Sequence, residues 1–196
     1  MAQRILYLNP TGELGGAEIR LLGLVQRLDR GRFEPRIVTL SSGPLLDRLP
    51  AVGVLADTVP TSDRFLRLSW RGRRRSPVGV ALGVMAGLPA AGRLVRLIRR
   101  DGVALVHTNG FKAHLVGWLA ASLARRPVIW HVRDFLGAGW QERVLLGIAR
   151  SGPARIITNS HAVAQDMERR GVPRARLVPI HNGVDLDEFS PAVDGE

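Results

Sequence analysis

Side chains able to do chemistry recur in this sequence at one kind of position, directly after short apolar runs that favour β-strands. Asn9 to Gly16 follows the first such run, His107 to Gly110 ends a second, and His131 to Asp134 ends a third. Asn159-Ser160 and His181-Asn182 stand in the same relation to two later runs. Because ligands of parallel sheets bind beyond the carboxyl ends of the strands, we expect these side chains to face ligand sites at that edge.

The first of these positions is a glycine-rich loop. It follows the apolar run Ile5–Leu8 and contains Gly12, Gly15 and Gly16, and from Ala17 the apolar residues recur at helical spacing. Free N–H groups at the start of such a helix bind anions, typically phosphate. The alternative is that the glycines only allow the helix to pack closely on the strand. The spacing is not G-x-G-x-x-G, so the dinucleotide fingerprint is not predicted.

The elements that position these residues alternate along the chain. After the first helix, strands are predicted at Phe33–Leu40, Val52–Val59, Val103–His107, Val128–Val132, Arg155–Thr158 and Leu177–Ile180. Helices are predicted at Leu45–Leu49, about Val78–Arg100, Phe111–Ala124, Gln141–Arg150 and His161–Arg170. This alternation predicts an α/β fold with a doubly wound, mainly parallel sheet and helices on both faces.

Composition narrows the classes of function. The chain has no cysteine, which excludes disulfides, thiol catalysis and zinc sites built on cysteine. Its net charge of +11 favours an anionic partner, either a phosphorylated ligand or an anionic membrane. Nucleic acid is not predicted, because no recognition motif accompanies the charge. The longest uncharged window, Ser76–Gly92, is shorter than the ~20 apolar residues of a membrane span, so no transmembrane helix is predicted.

One basic segment, Thr61–Pro77, interleaves arginines with aromatic and leucine side chains. Such a mixture is typical of a contact with the surface of an anionic membrane. The alternative is an ordinary solvated loop. The residues predicted to make the membrane contact are Arg64, Arg67, Trp70, Arg71, Arg73, Arg74 and Arg75.

Five motifs, in this order along the chain, resemble the amino-terminal domain of the retaining GT-B glycosyltransferases of family 4. They are Gly15-Gly16-Ala17-Glu18, Leu105–Asn109, Trp130–Asp134, Ile157–Ser160 and Val178–Asp185 with Phe189 and Pro191. The resemblance covers nearly the whole sequence and implies one Rossmann-like half of a GT-B fold over residues 1–183, with residues 184–196 beginning the interdomain linker. It also implies that the C-terminal donor-binding domain, with its Glu-x7-Glu carboxylates, is absent from this chain.

The resemblance also implies roles for residues of these motifs. Gly15 and Gly16 approach the phosphates or the sugar of the donor from across the cleft, and His131 is the catalytic candidate beside the reacting sugar. The candidates for acceptor binding are Asn109, Lys112, Arg133 and Asp134. The alternatives are a structural role for His131 and a mutual salt bridge between Arg133 and Asp134. His114 is expected on the surface or in packing.

The predicted function is therefore the acceptor-binding domain of a nucleotide-sugar-dependent retaining glycosyltransferase of hexosyltransferase type. The expected acceptor is a cell-envelope, lipid-linked or other glycoconjugate, and the expected location is the cytoplasm, at the inner face of the membrane. The donor is a co-substrate, and no cofactor or metal is expected. Without the donor domain the chain is expected to be inactive. Two alternatives remain: a non-catalytic module that binds phosphorylated or anionic membrane ligands, and a nucleotide-dependent epimerase, which predicts a carboxylate-rich cleft.

Overall fold

The computed structural model describes residues 2–66, 85–137 and 139–183 of the chain. The strands of these ranges are β1 (Gln3–Asn9), β2 (Phe33–Thr39), β3 (Leu55–Thr58), β4 (Leu105–Asn109), β5 (Val128–Val132), β6 (Arg155–Thr158) and β7 (Leu177–Pro179). The helices are α1 (Gly16–Gln26), α2 (Leu45–Arg48), α3 (Asp63–Leu66), α4 (Leu88–Arg100), α5 (Phe111–Ala124), α6 (Trp140–Ala149) and α7 (His161–Arg169). Short 3-10 turns at Pro50–Val52 and Arg174–Arg176 precede β3 and β7.

The strands form one seven-stranded sheet in the order β3-β2-β1-β4-β5-β6-β7. Every neighbouring pair is parallel, which confirms the predicted α/β class and sheet type. The strands up to β3 are added on one side of β1, and β4 then pairs with its other side. The direction of the chain across the sheet reverses between β1 and β4, and this reversal opens a crevice at their carboxyl ends.

Helices cover both faces of the sheet, because alternate residues of a buried strand point to opposite sides. In β1, Leu6 and Leu8 belong to a buried cluster that contains residues of α4 to α7. Ile5 and Tyr7 belong to a second cluster that contains residues of α1 and α2. A continuous apolar run therefore serves two cores, as the sequence of β1 predicts.

Several strand boundaries differ from the sequence prediction, and the largest differences are in β3 and β4. The predicted strand at Val52 begins at Leu55, because the preceding 3-10 turn ends at Gly53 with a φ of 64°. The strand predicted to end at His107 continues to Asn109, which places His107 inside β4. The predicted helix from Val78 is described only in part, as α4, since residues 67–84 lie outside the described ranges.

The helices of the described ranges are too short or too polar to cross a lipid bilayer.

Candidate active site

A cavity of about 850 Å³ opens at the carboxyl ends of β1, β4 and β5. Its wall includes Asn9, Asn109 and His131 from the ends of these strands, together with the first turns of α1, α5 and α6. Asn109 and His131 are partners in the register of β4 and β5. Three of the predicted strand-end groups therefore converge at the reversal point of the sheet, whereas Asn159-Ser160 and His181-Asn182 do not line this cavity.

The glycine loop leads into α1 with Gly15 as the N-cap residue. The carboxylate of Glu18 folds back over this helix start: Oε2 accepts from the Gly15 N–H at 3.1 Å, and Oε1 accepts from Asn9 Nδ2 at 2.8 Å. Glu18 is buried and lines the cavity, so its charge already occupies part of the N-terminal anion site. The N–H groups of Gly16 and Ala17 have no acceptor among the described residues. Gly15 and Gly16 themselves lie outside the cavity wall.

Two predicted acceptor-binding residues meet at the start of α5. Asn109 is 2% exposed, and its Oδ1 and Nδ2 both lack a hydrogen-bond partner within the described part of the chain. Gly110, with a φ of 75°, turns the backbone from β4 into the helix. Lys112 Nζ donates to the carbonyl of Leu66, and burial lowers the pKa of Lys112. The amide of Asn109 therefore keeps its full hydrogen-bonding capacity, whereas Lys112 already uses part of its own.

His131 is held as a neutral ring of defined tautomer. Its Nδ1 lies 3.3 Å from Arg133 Nη2. A guanidinium only donates, so Nδ1 accepts and the proton resides on Nε2. Burial, reinforced by the charges of Arg133 and His107, lowers the pKa of His131 to about 3. The Nε2–H group has no acceptor among the described residues, which makes His131 a hydrogen-bond donor that is not predisposed to act as a base near neutral pH.

Arg133 and Asp134 both line the cavity but do not pair with each other. No ion pair within 4.0 Å joins these two described side chains, so the salt-bridge alternative is wrong. Burial lowers the pKa of Arg133, and its Nε is buried without an acceptor among the described residues. Asn159 Nδ2 donates to the Arg133 carbonyl at 2.8 Å and holds the loop after β5. Asp134 is exposed at the mouth of the cavity.

Two further histidines are buried beneath the site. His107 lies between Tyr7 and His131, with ring centroids at 5.0 and 5.6 Å, and burial lowers its pKa to about 4. His114 stacks on Trp130 at 4.7 Å, its Nδ1 lies 2.7 Å from Thr108 Oγ1, and burial lowers its pKa to about 3. His114 is therefore a packing residue, one of the two predicted alternatives, although it also lines the cavity.

Sequence reasoning missed several residues of the cavity wall. The sequence assigns no site role to four residues that line the cavity, which are Glu18, Leu66, Phe135 and Glu142. Glu18 and Glu142 each occupy the third position of a helix, where glutamate is common as a cap, so residue type alone gives no functional signal. Phe135 follows directly after Asp134 and could have been found as an extension of that motif.

The predicted membrane segment cannot be placed beside this site. Trp70 and the arginines at 67, 71, 73, 74 and 75 lie outside the described residues. Arg64 belongs to α3, but its side chain also falls outside the described part. The membrane contact therefore stays a prediction.

The sequence model of Glycosyltransferase Family 4 matches residues 14–188 of the chain. No curated protein matches the sequence significantly. Among solved structures, the fold is similar to Alr3699/HepE of Anabaena in complex with UDP, with a TM-score of 0.74 and 24% identity over 97% of this chain and 47% of that one.

Two more distant structures share the fold. The lipopolysaccharide outer core galactosyltransferase WaaB in its apo form has a TM-score of 0.67 and 9% identity over 94% of this chain and 47% of that one. The UDP-GlcNAc 2-epimerase of Methanocaldococcus jannaschii has a TM-score of 0.60 and 10% identity over 92% of this chain and 46% of that one. The chain thus spans less than half of each structure, and the fold alone does not separate transferases from epimerases.

Proposed function

The chain belongs to glycosyltransferase family 4, and we propose that it is the acceptor-binding half of a nucleotide-sugar-dependent retaining glycosyltransferase. The proposed reaction is hexosyl transfer to a cell-envelope, lipid-linked or other glycoconjugate. The observation that carries the proposal is the cavity at the reversal point of the sheet, where His131 Nε2 and both amide atoms of Asn109 have no partner among the described residues. Unpartnered donors and acceptors of this kind suit the hydroxyl groups of a sugar.

We propose that a second, donor-binding domain completes the cleft. The chain spans 47% of the Anabaena structure, which is described with UDP bound. Arg20 of α1 donates to the carbonyl of Gly183, so the described chain ends beside the helix that follows the glycine loop. A domain that continued from this point would lie next to the cavity. In this proposal residues 1–183 form the acceptor domain and the residues from 184 onward form the linker.

The mechanism follows from the charges on the cavity wall. Retaining transfer develops positive charge on the sugar and negative charge on the departing diphosphate. A neutral His131 can donate Nε2–H to a sugar oxygen without repelling the positive centre. The free N–H groups at Gly16 and Ala17 and the guanidinium of Arg133 can stabilise the diphosphate without a metal ion. Gly15 joins them only if Glu18 releases its N–H group.

The carboxylates of the cavity also bear on the epimerase alternative. That alternative predicts a carboxylate-rich cleft, and Glu18, Asp134 and Glu142 do line the cavity. Glu18 is committed to the cap of α1, so it is not a free acid or base. This engagement of Glu18 weakens the epimerase alternative. Membership of glycosyltransferase family 4 favours the transferase as well, and the epimerase stays the second candidate.

The proposal is tested with the full-length gene product, the 196-residue chain and a panel of nucleotide-sugars. We expect the full-length protein to transfer sugar and the isolated chain to show no turnover. His131→Gln should lower kcat by about 100-fold, the usual order for loss of one donor to the transition state, with little change in KM. His161→Gln, an exposed histidine on α7, is the control. Full turnover by the isolated chain, or unchanged kcat in His131→Gln, would refute the proposal.

A further inference from the structure

Glu142 is an unpaired carboxylate on the cavity wall. It lies in the first turn of α6 and is 5% exposed. Neither of its oxygens has a hydrogen-bond donor or a cationic partner among the described residues. Its oxygens are not among the buried polar atoms that lack a partner, so they reach the open space of the cavity. They are therefore placed to accept hydrogen bonds from a ligand in the cavity.

Two glycines lie against this carboxylate. A Cβ atom built on Gly139 would overlap Glu142 Oε2, and one built on Gly137 would lie 2.9 Å from Oε1. The end of the Glu142 side chain therefore occupies space that side chains at these two positions would share. Gly137 itself lines the cavity, so the carboxylate and the cavity share this piece of wall.

The two cations of the cavity wall do not form an ion pair with Glu142. Lys112 donates to the Leu66 carbonyl, and Arg133 donates to His131. Glu142 therefore stays available to a donor that a ligand brings. Asn109, both of whose amide atoms lack a partner in the described chain, offers one donor and one acceptor on the same wall. Phe135, 62% exposed, adds an aromatic surface at the same cavity.

We propose that Glu142 and Asn109 bind the hydroxyl groups of an uncharged pyranose, and that this subsite selects neutral acceptor sugars against acidic ones. The inference rests on the proposed function and specifies its acceptor class. A carboxylate accepts hydrogen bonds and cannot donate them, so it suits sugar hydroxyls. The carboxylate of a uronic acid would place a like charge beside Glu142 in a partly dehydrated cavity, where repulsion is stronger than in water. The exposed ring of Phe135 suits the apolar face of a pyranose.

Saturation-transfer NMR on the folded 196-residue chain tests this directly, with methyl glucoside, methyl galactoside and methyl mannoside and their matching methyl uronides as probes. We expect at least one neutral glycoside to bind about 10-fold more tightly than its uronide, the effect of roughly one unfavourable charge contact. Glu142→Gln, which keeps the shape but removes the charge, should narrow that preference to less than about threefold. Glu168→Gln, an exposed glutamate on α7, is the matched control and should keep the full preference.

The outcomes separate this inference from the proposed function. If the wild-type chain binds a uronide as tightly as the neutral glycoside, or if Glu142→Gln keeps the full preference, the inference is wrong and the glycosyltransferase proposal stands on its own assay. If no glycoside binds to the folded chain, the inference also fails. Should Glu142→Gln not fold, the wild-type preference between neutral and acidic glycosides decides alone.

Discussion

Three histidines, of which His107 and His114 are buried and His131 is partly buried, lie in or directly beneath the cavity, and all three are held neutral. Burial is the main cause in each case: it lowers the pKa of His107 to about 4 and those of His114 and His131 to about 3. An unfolded histidine titrates near 6.5, so between about pH 3 and 6.5 the unfolded chain binds more protons than the folded one. The stability that these residues contribute is complete above pH 6.5 and is lost as the pH falls toward 3.

His114→Asn should weaken this pH dependence. Asparagine can keep the hydrogen bond to Thr108 Oγ1 while removing the titrating group. Between pH 4 and 6 we expect the slope of the unfolding free energy against pH to fall by up to about 1.4 kcal/mol per pH unit, which corresponds to one proton. Urea denaturation at several pH values measures the slope. His161→Asn, an exposed site, is the control, and an unchanged slope in His114→Asn would contradict the prediction.

For single residues, the sequence predicted where the functional side chains lie better than it predicted what surrounds them. His131 and Asn109 were found because both stand at strand ends, and parallel strands bring those ends together. The neutrality of His131 depends on burial and on Arg133, which strand spacing does not reveal. The role proposed for Glu142 depends on its place in the cavity wall, which only the three-dimensional structure shows.

The elements were largely predictable, because their patterns are local. Phe111–Ala124, Val128–Val132 and Arg155–Thr158 agree with the sequence prediction at both ends. The beginning of β3 was not predicted, since Val52 and Val54 continue the apolar pattern across a turn whose only signals are Pro50 and Gly53. Strand order was also beyond the sequence, because hydrophobic periodicity does not say which strands are neighbours.

The packing of α5 on the sheet depends on a close approach at one glycine. A Cβ atom on Gly117 would lie 2.5 Å from Thr108 Cγ2 and 3.0 Å from Leu8 Cδ2. Gly117→Ala should therefore force α5 away from the sheet and lower the unfolding free energy by about 1–3 kcal/mol. Gly92→Ala in α4, where the new methyl meets nothing within 4 Å, should instead raise it by about 0.5–1 kcal/mol. Urea denaturation compares the two, and effects of the same sign would contradict this account.

For the whole molecule, the cavity and the net charge indicate different binding partners. The cavity wall mixes three carboxylates with two partly committed cations, so it does not by itself explain an excess of basic side chains. The net charge is +11, and six arginines fall between residues 64 and 75. This segment begins in α3, whose last residue, Leu66, lines the cavity. A membrane contact there would bring a lipid-linked acceptor close to the site.

We therefore predict that the chain binds anionic membranes through this segment. Each arginine near an anionic surface contributes about 1 kcal/mol, so the double variant Arg73→Gln/Arg74→Gln should weaken binding to anionic liposomes by about 30-fold. Higher salt should weaken the wild-type protein as well, because it screens exposed charges. The double variant Arg155→Gln/Arg169→Gln removes the same charge from exposed sites elsewhere and should bind almost like the wild type. Co-sedimentation with liposomes measures the binding of the wild-type protein and of both double variants. Binding that does not depend on lipid charge and salt would contradict the prediction. The absence of binding would also contradict it and would favour the alternative of a solvated loop.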